Sequence, residues 1–294
     1  MIEREREALQ LCDLGLQHMW KGEVDSAIAV YDRGASLAET EDTRELITIR
    51  KAEALIAADR EGAEVAKLPS IIMRRRSPRH VYLAAYTLMR RYSETQDRKR
   101  ALFYGETASA AATELGEPLA CANVFNGIGV IYVVDSEFRK AIDAFDRALT
   151  AINAAHDHDA RLVGLRNVVI GNLGGAKVLS GDTDSGIALL ETVLPRLDDD
   201  YIIAEACLDL CFGYLERAQY EAAEMFGRRA LEIASVKRQV RNANHLLGEI
   251  CVRQDRHDEA DGYFDVVASY YPDFKNVKQL LVAVDLCSVV NWKA

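Results

Sequence analysis

Four stretches of the chain carry side chains whose types could do chemistry. "HDHD", His156 to Asp159, offers metal-ligand groups, but neighbours on one short connection cannot converge on a single ion, so a polar loop is the expectation. "DTDSGIALLE", from Asp182, opens like a calcium-binding loop. Its Gly186 and Glu191 are misplaced for that spacing, which makes it a turn leading into a helix. "GNLGGAK", Gly171 to Lys177, is Gly-rich and ends in lysine, yet no strand precedes it and the phosphate-loop spacing is absent. Its glycines suit close helix packing or the floor of a groove. Cys207 and Cys211 stand four apart on one helix face, with Cys251 and His245 on the following helix. A soft metal ion is one reading of that set; buried reduced thiols are the other, because zinc sites use tighter knuckles.

No nucleophile, base and orienting group come together in the sequence. The expectation is a non-enzymatic protein without a cofactor or metal, and function must then reside in the surface that its elements present.

Those elements are helices. The 294 residues are 49% hydrophobic and 28% charged, enough to bury a substantial core. Five prolines and few aromatics, against frequent Ala, Leu, Glu and Arg, favour helix, since straight side chains lose little rotamer freedom there. "MIEREREALQ" lacks the apolar core of a secretory signal, and no apolar run approaches the roughly 18 residues that span a bilayer. A cytoplasmic location without membrane contact is expected. The six cysteines are spread through apolar helical stretches rather than clustered as in a small secreted domain.

The formal charge of −10 argues against general affinity for nucleic acid. Its distribution is uneven, because residues 74 to 100 carry nine Lys and Arg against Glu94 and Asp97, net +7, leaving −17 for the remainder. Arg74, Arg75, Arg76 and Arg79 either form a solvated turn paired to that acidic remainder or bind an anion or a nucleic-acid backbone with their planar donor forks. Tyr82, Tyr86 and Tyr92 interleave the basic residues, as stacking platforms for bases would.

A repeat organises the helices. In residues 122 to 153, Phe125, Ile128, Gly129 and Tyr132 fall on a first helix and Ala141, Phe145 and Ala148 on a second. The same offsets return at Leu247, Gly248, Ala260 and Phe264, at Cys211, Tyr214, Ala223 and Gly227, and at Leu173, Gly174, Gly186 and Leu190. Upstream they return at Leu14, Gly15, Ala27 and Tyr31, and at Leu88, Met89, Tyr92 and Ala101. Small residues let two antiparallel helices approach, with aromatics filling the gap towards the next unit. No pair could bury its face alone. Gly15 and Met89 lie 74 residues apart, twice 37, which leaves room for a degenerate unit in residues 41–73.

These offsets resemble the tetratricopeptide repeat over nearly the whole chain, with Lys177 and Gly227 standing where large residues are expected. Anchor spacings of 37 to 45, longer than the usual repeat, are similar to the sensor regions of MalT-type activators and Rap-type pheromone regulators. The resemblance implies an all-α, right-handed superhelical solenoid of six to seven helix pairs in one domain. Its units fall at 1–40, 41–73, 80–118, 119–158, 161–198, 201–236 and 238–273, with a capping helix over 275–294. Trp292 would seal the edge of that cap, which packs on the last repeat or forms a homodimer contact.

The resemblance also implies a concave groove lined by the first helices, at Tyr86, Arg90, Asn123, Asn126, Val130, Asn172, Gly175, Asp209, Phe212, Asn242, His245 and Glu249. An Asn amide can donate to a carbonyl and accept from an N–H of one extended chain, so repeated Asn suits capture of a peptide backbone. Val130 and Phe212 would hold apolar side chains, and Arg90 at one end against Asp209 and Glu249 at the other would orient the peptide. A protein- or peptide-binding adaptor is therefore expected, with a ligand-responsive regulatory sensor as the alternative. No helix-turn-helix pattern precedes the first repeat, which favours the adaptor.

Overall fold

The computed structural model describes residues 2–155, 160–285 and 291–293, so the "HDHD" stretch and Cys287 lie outside the described residues. Every regular element among the described residues is helical. The helices come in antiparallel pairs: α1 (Ile2–Trp20) with α2 (Val24–Leu37), α3 (Glu41–Ala57) with α4 (Ala63–Arg74), and α5 (Pro78–Glu94) with α6 (Arg98–Leu115). Then follow α7 (Pro118–Val134) with α8 (Phe138–Asn153), α9 (Ala160–Leu179) with α10 (Thr183–Val193), α11 (Asp200–Glu216) with α12 (Tyr220–Ile233), and α13 (Lys237–Arg253) with α14 (His257–Ser269). A short α15 (Val277–Ala283) comes last. The chain divides within α7 into two compact units, Met1–Gly127 and Ile128–Ala294.

Each pair turns through one residue in the left-handed backbone region: Gly22, Asp59, Gln96, Ser136, Gly181, Ala218 and Asp255. The shortest interval between them is 37 (22 to 59) and the longest 45 (136 to 181). That residue ends one helix by returning its amide to the last carbonyls and starts the next within a few positions. Part of the extra length of the longest interval lies in α9, which has 20 residues where α7, α11 and α13 have 17. N-caps mark several starts: the side chains of Thr40, Asp97 and Asp199 accept from the amides of Thr43, Arg100 and Ile202.

Within a pair, a glycine on the first helix receives the large side chain of the second. A Cβ on Gly15 would lie 2.6 Å from Tyr31 Cζ, and on Gly129 or Gly248 2.7 Å from Cδ1 of Phe145 or Phe264. Tyr31, Phe145 and Phe264 are fully buried as a result. The aromatics therefore fill a notch inside their own pair rather than the gap towards the next unit, because the absent Cβ leaves space there first. In α11 and α12 the arrangement is reversed: Gly227 is on the second helix, and Cys211 Sγ and Leu247 close over it at about 3 Å. Lys177, at another expected large position, reaches across the turn to Asp182 at 2.8 Å.

The second unit's core joins Val178, Leu190, Leu208, Leu210, Leu215, Phe226 and Leu247, and a satellite cluster of Phe264, Val267, Val277 and Leu281 seats α15 on α14. α15 thus covers the last pair. It spans Val277–Ala283 only, and Trp292 leaves it to join the main core beside Phe212, because that ring offers a buried partner that the edge of the last pair does not.

Candidate functional site

In the first unit, Tyr82, Tyr86 and Arg90 follow one another along α5, and Asn123 and Asn126 lie on the opening turns of α7. The Tyr82 and Tyr86 rings stack at 5.8 Å, and Asn123 hydrogen-bonds the Tyr82 hydroxyl. Burial pushes both phenols above their ordinary range. Arg90 is exposed and lies 3.8 Å from Glu94. These side chains form a patterned surface without converging on a point.

The basic segment is tied down inside the same unit. Arg74 reaches Glu41 at 3.1 Å and Glu45 at 3.3 Å, Arg76 reaches Glu41 at 3.7 Å, and Arg75 reaches Glu114 at 3.9 Å. Arg79 is exposed. Beneath this cluster the buried Glu45 meets the buried His80 at 3.3 Å, a pair that sequence reasoning missed because its members are 35 residues apart. Arg91 binds Glu61 at 2.7 Å, and Arg100 sits over the Tyr92 ring at 5.3 Å.

The second unit brings sequence-expected residues together on the faces of its first helices. Asp209 on α11 is 3% exposed, and Gly175 on α9 makes room for it. Burial pushes the Asp209 carboxyl up to about 6, against the pull of Lys293. Phe212 follows one turn later on the same face. On α13, Asn242 is buried; its Oδ1 accepts from Arg241 Nε at 3.0 Å, while its Nδ2 has no partner among the described residues. Glu249 is buried and raised by that burial, and Arg253 Nε donates to it at 3.1 Å. His245 is lowered to about 4 by burial and by the charge of Arg241. Asn172 is half-buried, whereas Val130 faces solvent.

A non-helical segment lies on this surface. Asn291 Nδ2 donates to the carbonyl of Val133 at 2.6 Å, which also accepts from the Ser136 amide, and to that of Val134 at 3.3 Å, both in the last turn of α7. Trp292 meets Phe212 edge-on, with ring centroids 5.9 Å apart. Lys293 Nζ donates to Asp209 at 2.7 Å and lies 3.9 Å from Glu205. Arg253 Nη2 donates to Asp285 at 2.6 Å. No pattern in the sequence pointed to Asn291, Lys293 or Glu205; the only local signal was the tryptophan at 292, after an apolar run.

The five cysteines among the described residues are free, and Cys12, Cys207, Cys211 and Cys251 are buried. Burial raises the Cys207 thiol to about 11 and pushes Cys211 and Cys251 up as well. Among the described residues no group of three or more His, Cys, Asp and Glu is placed to hold a metal ion. No helix among them is long and apolar enough to cross a membrane.

No protein-family model matches the sequence, and no curated protein matches it. The fold does match solved structures. A Rap protein complexed with competence and sporulation factor is 14% identical, with a TM-score of 0.70 over 90% of this chain and 76% of that one. NprR in complex with its cognate peptide NprX is 14% identical, with a TM-score of 0.67 over 95% and 82%. A tetratricopeptide repeat protein from Parabacteroides merdae is 14% identical, with a TM-score of 0.58 over 94% and 98%. The chain therefore has the tetratricopeptide fold and is similar in it to Rap-type and NprR-type proteins.

Proposed function

We infer that the protein is a non-catalytic peptide-binding scaffold or sensor whose ligand lies on the first-helix face of the second unit. One observation carries this reading: that face already holds a short non-helical stretch of polypeptide, through a carbonyl-directed amide, an aromatic contact and an ion pair. These are the interaction types that capture an irregular peptide segment. The fold likeness to a Rap protein complexed with competence and sporulation factor and to NprR in complex with its cognate peptide points the same way. Asn172 on α9 and Asn242 on α13 add amides on the first helices to either side of α11, and Asn242 Nδ2 is a donor with no partner among the described residues.

Panning the full chain against displayed random peptides tests the reading. An enriched consensus is expected whose affinity falls by about 1 kcal/mol in Asn172→Ala, the typical worth of one hydrogen bond. Recovery of no consensus, or of one indifferent to every substitution on this face, would overturn it.

A further inference from the structure

Asp209 is an anion on the floor of a surface that the helix pairs alone do not neutralise. Among the described residues its salt-bridge partner is Lys293, 84 positions later and outside every helix pair. The nearby Arg238 is engaged by Glu205 at 2.9 Å and by the Tyr201 hydroxyl at 2.9 Å. A buried carboxylate without a cation is costly, so this floor calls for a positive charge delivered on a peptide. One turn along α11, Phe212 presents an aromatic surface, and the residue next to Lys293 is the tryptophan that covers it. Two consecutive peptide side chains thus answer two receptors one helical turn apart.

The fit of the chain's own segment is incomplete. Trp292 Nε1 is buried without a hydrogen-bond partner among the described residues, a penalty that a phenylalanine in its place would not carry.

We propose that the first-helix face of the second unit selects peptides in which an aromatic residue is followed directly by lysine or arginine, and that Trp292 and Lys293 hold this site until such a peptide displaces them. The proposal rests on the peptide-binding reading above and names its ligand class.

The protein's two tryptophans allow a direct test, because Trp20 is exposed and Trp292 is 4% exposed. In the full chain carrying Trp20→Phe, emission reports Trp292 alone. Titration with the capped tetrapeptide Ala-Phe-Lys-Ala is expected to shift that emission to the red in a saturable way, while Ala-Phe-Glu-Ala leaves it unchanged. Adding Lys293→Glu, which turns attraction to Asp209 and Glu205 into repulsion, should release the segment without ligand. It should also tighten peptide binding about tenfold by removing the internal competitor, at unchanged helical circular dichroism.

Emission already at the solvent-exposed wavelength in the ligand-free parent, or unmoved by Lys293→Glu, would overturn the proposal. So would a concentration-dependent shift accompanied by a dimer on size exclusion, which would place the segment in a second copy. Peptides that bind by calorimetry without moving Trp292 overturn this inference while leaving the peptide-binding reading intact. If neither the tetrapeptide nor any panned peptide binds the Lys293→Glu chain, both fail together.

Discussion

Asp209 occupies the space that a side chain on Gly175 would fill: a Cβ at position 175 would lie 2.7 Å from the Asp209 carboxyl carbon. The two residues come from successive first helices, and the absence of one side chain positions the charge of the other.

Gly175→Ala is therefore expected to move the Asp209 carboxylate off its seat and weaken its pairing with Lys293. Overpacking of this kind costs about 1–3 kcal/mol. With Trp20 replaced by Phe, the variant's Trp292 emission should shift to the red. A variant of parental stability and parental emission would show that the notch is not what holds Asp209.

The glycine–aromatic notch can be tested by a mutant cycle. Gly129→Ala should destabilise by about 1–3 kcal/mol, because the fully buried Phe145 ring has no room to give way. In a Phe145→Leu background the same change should cost markedly less, giving a coupling energy above about 0.5 kcal/mol in urea unfolding. Additive effects would mean that the two side chains do not share one space.

Two buried groups of the second unit oppose each other in acid. Asp209 is raised from the ordinary 3.8 to about 6, so the fold holds its proton more tightly than the unfolded chain does. Its contribution is full below 3.8 and is lost as pH rises through 6. His245 is lowered from 6.5 to about 4, so its contribution is full above 6.5 and is lost as pH falls through 4. Each amounts to on the order of 3 kcal/mol, and they largely cancel between pH 4 and 6. Replacing one exposes the other: the urea midpoint of His245→Gln should fall, relative to wild type, as pH rises from 4 to 6. That of Asp209→Asn should fall as pH drops from 6.5 to 4. Parallel profiles for the two variants would contradict the assignment.

The arginines of residues 74–76 should separate by partner. Arg74→Ser removes the ion-pair partner of the buried Glu45 and should cost about 1–2 kcal/mol, whereas Arg75→Ser, paired at 3.9 Å with an exposed carboxylate, should change stability by less than about 0.5 kcal/mol. If the segment binds an anion instead, the triple replacement Arg74, Arg75 and Arg76 by Ser should flatten the salt dependence of that binding. A slope unaffected by the triple change leaves these arginines to intramolecular pairing.

The helical class, the pairing of helices and the small residues at the close approaches are legible in the amino-acid sequence. They are local: a glycine at 15, 129 or 248 with an aromatic sixteen positions later states a notch and its filler within one helix pair. The direction of that filling was misread, since offsets along a helix give a face but not the neighbour that reaches it first. Likewise the resemblance to the tetratricopeptide repeat puts Gly175, Asp209 and Phe212 on one set of helix faces. That Asp209 is buried, and that Lys293 meets it across 84 positions, only the tertiary structure decided. The repeat periodicity specifies how each helix packs on its immediate neighbours. The segment at 291–293 has no periodicity to read, and its position follows from long-range fit: a ring seeking an apolar surface, an amide seeking helix-end carbonyls, and a cation seeking a desolvated carboxylate.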